Sequence, residues 1–186
     1  MEALVSSFVA AFLGEWGDKT QLIVALLAAT TRRPLQVFAG LVLAALLSNA
    51  VAAAAGVRIA ATINIRAMTL MTALALLFAG ISGLIPRKAK ESVAARWTLP
   101  AAFILCLAAE MGDRTQFLTF ALAGRFDSAP LAAAGATAGI LAACLPALAL
   151  ADRFTTTVPL RGIRWTVAGL FLVAGFVVGV NALQLT

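Results

Sequence analysis

Apolar residues fall in six long runs, at about 4–30, 35–57, 66–85, 99–123, 130–151 and 163–184, separated by short polar stretches. A helix needs roughly 20 apolar residues to cross about 30 Å of hydrocarbon, and it satisfies its own backbone hydrogen bonds there. The pattern therefore predicts an all-α integral membrane protein with six transmembrane helices. Pro34, Pro86, Pro130 and Pro159 lie at or near the breaks, where helix ends prefer them. Two of the six runs are interrupted by charge. The first contains "GEWGDKTQL" at 14–22 and the fourth contains "AEMGDRTQF" at 109–117.

Composition narrows the class. Of 186 residues, 62% are hydrophobic and 12% charged, whereas a soluble domain carries about a quarter charged residues. Cys106 and Cys144 both fall inside spans, which argues against a disulfide framework. There is no histidine, so a proton carrier or metal ligand must be a carboxylate, hydroxyl, amide, sulfur or backbone carbonyl. The formal charge of +6 sits mostly in short loops beside the membrane, which argues against a nucleic-acid partner. Counting Lys and Arg by side gives nine in the loops after spans 1, 3 and 5 and three in the loops after spans 2 and 4. By the positive-inside rule the nine are cytoplasmic, and both termini lie outside the cytoplasm. Trp97 and Trp165 begin spans 4 and 6 on that same basic side. The excess of Arg over Lys and the alanine content point to a bacterial chain, hence to the inner membrane.

The two interrupted runs superimpose when the chain is shifted by 95 residues. Phe8 then meets Phe103, Glu15 meets Glu110, Gly17 meets Gly112, Asp18 meets Asp113, Thr20 meets Thr115 and Gln21 meets Gln116. Lys19 meets Arg114, which preserves the charge. The chain thus divides into a three-helix repeat at 1–86, a basic cytoplasmic linker at 87–98 and a second three-helix repeat at 99–186. An odd number of spans per repeat inverts the second half. Inverted-topology repeats are a common plan of secondary transporters, with substrate sites near the midplane at the repeat interface.

The repeated motif has the chemistry for a cation. One charge at the bilayer centre costs about 2.5–3.5 kcal/mol on insertion scales, so three in one span need partners. Four of the eight acids in the chain are Glu15, Asp18, Glu110 and Asp113. On a continuous helix Glu15 and Asp18 would share a face, with Gln21 one turn further along. Two such rows facing each other offer carboxylates, the Gln21 and Gln116 amides and the Thr20 and Thr115 hydroxyls, the oxygen set that hard divalent cations take. Four carboxylates against Lys19 and Arg114 leave a net charge of −2, which one divalent cation or two protons would neutralise. Other readings exist for single residues. Glu15–Lys19 and Glu110–Arg114 stand four apart, as structural salt bridges would, although this leaves Asp18 and Asp113 unexplained. Gly17 and Gly112 fit either close helix packing or a local unwinding that frees carbonyls. Trp16 and Met111 read as wall residues, and the Met111 sulfur would favour Mn²⁺ over Ca²⁺. Asn49, Ser48 and Thr119 are polar within spans and read as hydrogen-bonding between helices, with Asn49 the exception best placed to join a cation site.

Paired E-φ-G-D-(K/R)-(T/S) motifs, φ being hydrophobic, on the first and fourth of six spans resemble the Gdt-type cation/proton exchanger family. The resemblance covers essentially the whole chain. It implies that Glu15, Asp18, Glu110 and Asp113 form an acidic cation site, with Lys19, Thr20, Gln21, Arg114, Thr115 and Gln116 completing the signature. It implies Mn²⁺ or Ca²⁺ as the exported ion, H⁺ as the counter-ion and no cofactor. The expected partners are the cation and the lipid bilayer, with a homo-oligomer an open option. Two rival readings remain at this point. One is an exporter of an organic cation or amino acid of the lysine-exporter type, against which the density of midplane acids argues. The other is an intramembrane aspartyl hydrolase, which needs Asp18 and Asp113 within proton-sharing distance despite the adjacent Lys19 and Arg114.

Overall fold

The computed structural model describes residues 1–86 and 97–183. Arg87, Lys88, Lys90 and Arg96 of the basic linker lie outside the described residues. Every regular element among the described residues is a helix. In chain order these are α1 (Glu2–Glu15), α2 (Lys19–Thr31), α3 (Pro34–Ala60), α4 (Ile65–Leu84), α5 (Thr98–Glu110), α6 (Arg114–Arg125), α7 (Ala129–Leu150), a 3₁₀ turn (Ala151–Arg153), α8 (Phe154–Thr157) and α9 (Leu160–Leu183). Among the described residues, four stretches are long and apolar enough to cross a membrane: Pro34–Ala60, Ile65–Leu84, Ala129–Thr157 and Leu160–Leu183.

The first and fourth runs are not continuous helices, and here the expectation needs correcting. Each is split at its motif, α1 from α2 across Trp16–Asp18 and α5 from α6 across Met111–Asp113. The split is local chemistry. Gly17 and Gly112 both have φ of 72°, the left-handed region that only glycine enters without strain. Gln21 Oε1 then accepts a hydrogen bond from the Gly17 amide at 2.9 Å, and Gln116 Oε1 accepts one from Gly112 at 2.7 Å. Each glutamine satisfies a backbone donor that the broken helix would leave orphaned. Glu15 and Asp18 therefore do not share the face of one helix; Glu15 ends α1 and Asp18 precedes α2.

The helices pack in pairs that recur under the 95-residue shift. α1 lies on α7 as α5 lies on α3, and α3 meets α6 as α7 meets α2. Small residues permit the close crossings, as is common between helices in lipid. Gly40 sits against Leu99 and Ala102 of α5, Gly135 against Leu4 of α1, and Gly56 against Gly124 where α3 crosses α6. α4 packs along α9, with Gly80 against Leu172 and Gly175 against Leu77. The Arg66 guanidinium donates to the carbonyls of Ala182 and Leu183 at 2.7 and 3.0 Å, so a cation closes the negative end of α9. Large apolar side chains such as Val51, Leu74, Ile104, Val173 and Phe176 point outward, the belt expected of a surface solvated by lipid.

Candidate cation site

The two broken helices place the motifs of both halves in one buried polar centre. Asp18 and Asp113 precede α2 and α6, at the positive ends of those helices, where an anion is favoured. Neither side chain caps its own helix, so both carboxylates are left to reach across. Glu15, Asp18, Glu110 and Asp113 are 0–5% exposed. Thr20 Oγ1 donates to Glu110 Oε1 at 2.8 Å, joining the first motif to the second. Arg114 Nη2 stands 3.6 Å from Asp18 Oδ1, joining them again. Asp113 and Asp18 lie within electrostatic reach of each other. Glu15 lies within Coulombic reach of Glu110, Asp18, Asp113 and Arg114.

The glutamines hold the breaks open from both sides. Besides closing its own turn, Gln21 donates from Nε2 to the Ala143 carbonyl of α7 at 2.7 Å, and Gln116 donates to Ser48 Oγ of α3 at 3.1 Å. Ala143 and Ser48 correspond under the 95-residue shift. Asn49 is absorbed by hydrogen bonds to α6 and α7 and within its own helix. Its Oδ1 accepts from Thr119 at 2.9 Å, and its Nδ2 donates to the Ala45 carbonyl at 2.9 Å and to Thr137 at 3.4 Å. Lys19 is half-buried at the start of α2.

The two halves are not in the same state. Thr20 bonds Glu110, but Thr115 Oγ1 is buried without a hydrogen-bond partner, and so are both carboxylate oxygens of Glu15. The Gly17 turn is covered by Leu160 and by the Arg164 side chain, which a Cβ on Gly17 would meet at 3.5 Å. A Cβ on Gly112 would meet nothing within 4 Å. Trp16 packs edge-on against Phe12, with centroids 6.1 Å apart, whereas Met111 is 60% exposed. Met111, Gln116 and Phe117 line a cavity of about 660 Å³ between α3, α4 and α6. Among the described residues, no three acidic or thiol side chains converge in this structure into a ready metal cage. The oxygens are instead engaged across the halves, or in Glu15 left without partners. Sequence reasoning counted Arg164 only as a loop charge and had no signal for its place over Gly17, because that contact joins residues far apart in the chain.

Comparison with known proteins bears on this geometry. The profile described as "Divalent cation/proton antiporter GDT1" matches residues 3–91 and 98–185. A protein of Vibrio cholerae serotype O1, described as "Putative manganese exporter", is 36% identical over 177 residues, covering 92% of this chain and 88% of that protein. No solved structure matches the chain. The profile covers both motifs and nearly every helix. The chain therefore belongs to the GDT1 family of divalent cation/proton antiporters, and it is a multi-pass membrane transporter and not an enzyme.

Proposed function

We propose that this protein exports Mn²⁺ from the cytoplasm in exchange for H⁺, with Ca²⁺ the alternative cargo, through the centre built by the two motifs. The observation that carries the reading is Glu15. Its carboxyl group is fully buried and neither oxygen has a hydrogen-bond partner. A carboxylate left so in a low-dielectric interior is strongly unfavourable unless a proton or a cation neutralises it. Asp18 and Asp113 add the second half of the argument, because the two carboxylates, one from each motif, lie within electrostatic reach of each other in the same buried centre, and like charges there are relieved by a proton or a cation. A divalent cation drawing on both aspartates would take the place of such a proton, which couples the two ions at one place. Glu15, Asp18, Glu110 and Asp113 would supply the carboxylate ligands. Gln21 and Gln116 would offer the remaining lone pair of each amide oxygen, and Thr20 and Thr115 their hydroxyls. Gly17 and Gly112 supply the turns, and Asn49 braces α3 against α6 and α7.

In this reading α1–α2 and α5–α6 each cross the membrane as one broken span, giving six spans in two inverted repeats at 1–86 and 99–186. The recurrence of helix pairings and of both breaks under the 95-residue shift supports it. Both termini then lie outside the cytoplasm of a bacterial inner membrane, where an inward proton gradient drives cations out. The manganese assignment of the Vibrio cholerae relative favours Mn²⁺. The test is metal uptake into proteoliposomes under an imposed pH gradient, comparing Mn²⁺ and Ca²⁺. Proton-driven Mn²⁺ movement should fall to the level of empty liposomes in Asp113→Asn. Metal movement that ignores the pH gradient would refute the exchange.

A further inference from the structure

The exchange assigns no task to the motif's permanent cation in the second half, Arg114. It is 2% exposed and lies inside the centre. A guanidinium keeps its proton at any physiological pH, so Arg114 is a fixed positive charge beside the carboxylates. Its hold on Asp18 is loose. The Nη2–Oδ1 separation is 3.6 Å, well beyond the roughly 2.7–2.9 Å of a tight charge-assisted hydrogen bond. Nε and Nη2 have no hydrogen-bond partner at all. A structural clamp would hydrogen-bond through its donors, and here neither Nε nor Nη2 does so. The seat of the side chain is Gly83 on α4, where an added Cβ would stand 2.9 Å from Arg114 Nη1. Lys19, at the same place in the first motif, is half-buried, so the two basic residues do different work.

We propose that Arg114 is a tethered counter-cation: it takes Asp18 when no metal is bound and is driven off when the metal arrives, with Gly83 leaving the space in which it rests. This deepens the cation/proton reading and rests on it. A divalent ion at Asp18 cannot share that oxygen with a guanidinium a few ångströms away, because their repulsion in a low-dielectric site is large. Arg114 therefore competes with the cargo, weakens its binding and helps to eject it. On the metal-free return the guanidinium, together with the exchanged protons, offsets the carboxylates, so the empty site does not have to carry a second metal ion back.

The test compares wild type, Arg114→Gln, Arg114→Lys and Gly83→Ala in proteoliposomes, reading the apparent KM for Mn²⁺, the maximal rate and the number of protons moved per Mn²⁺. Arg114→Gln should lower KM by roughly tenfold, since it removes a unit charge next to the ligand, while slowing maximal exchange and loosening the proton ratio. Arg114→Lys should restore much of the coupling. Gly83→Ala, which displaces the guanidinium without removing it, should shift KM in the same direction by a smaller factor. An Arg114→Gln protein that folds yet keeps the wild-type KM and proton ratio would overturn the inference and leave the transport reading intact. If Arg114→Gln does not fold, an unchanged KM in Gly83→Ala overturns it instead. Wild type that moves neither Mn²⁺ nor Ca²⁺ would overturn both.

Discussion

Single side chains in the centre do unequal work although the sequence repeats them. Thr20 and Thr115 occupy the same motif position, yet only Thr20 makes its cross-motif bond, at 2.8 Å to Glu110, while Thr115 Oγ1 is buried without a hydrogen-bond partner. Deleting a buried hydrogen bond to an acidic group leaves that group unsatisfied and costs about 1–3 kcal/mol, whereas deleting an unpaired hydroxyl is close to neutral. Thr20→Val should therefore lower unfolding stability in detergent by that amount, and Thr115→Val should leave it within about 0.5 kcal/mol. If the opposite half-cycle uses the Thr115 hydroxyl, both variants should still lose Mn²⁺ exchange. Equal destabilisation would show that the asymmetry of the two hydroxyls has no energetic meaning.

At the scale of the element, the informative event is the breaking of two helices. A glycine at φ of 72°, an acid before the new helix and a glutamine returning to the glycine amide recur at both breaks. The break turns the helix ends toward the centre, which brings backbone dipoles as well as side chains to it. Gly17→Ala and Gly112→Ala should each destabilise by about 1–2 kcal/mol, because alanine in the left-handed region is strained. Space does not add to this, since a Cβ on Gly17 meets ordinary contacts at 3.5–3.6 Å and one on Gly112 meets nothing. Thermal unfolding of the two variants should accordingly give similar losses. A much larger loss for Gly17→Ala would mean that the cover by Arg164 is tighter than the geometry indicates.

Across the whole molecule, one motif occurs twice and its two occurrences are held in different arrangements. Leu160 and Arg164, at the start of α9, close over the first break, while the second break borders the cavity lined by Met111, Gln116 and Phe117. In the proposed topology the covered break faces the cytoplasm and the other faces outward. Met111→Cys should react quickly with a membrane-impermeant maleimide added from outside, and Mn²⁺ should slow the reaction. Trp16→Cys should stay unreactive from that side. Background labelling should be low, because Cys106 and Cys144 are both buried. Reaction of both positions from the same side would contradict an arrangement in which the halves take turns.

The sequence by itself determined the membrane class, the helical makeup, the internal repeat and the residues that meet at the centre. Apolar run length and paired motifs are local properties that survive without any fold. It also marked Gly17 and Gly112 as special while leaving packing and unwinding equally open, because a glycine symbol does not carry its φ. Only the tertiary structure decided that question, and only it showed the Thr20–Glu110 bond, the reach of Arg114 to Asp18 and the cover of Gly17 by Arg164. Those contacts join residues 90 or more positions apart, and their asymmetry cannot be written in a repeated motif. A duplicated sequence specifies two equal half-sites; which of them is closed depends on how the remaining helices pack around them.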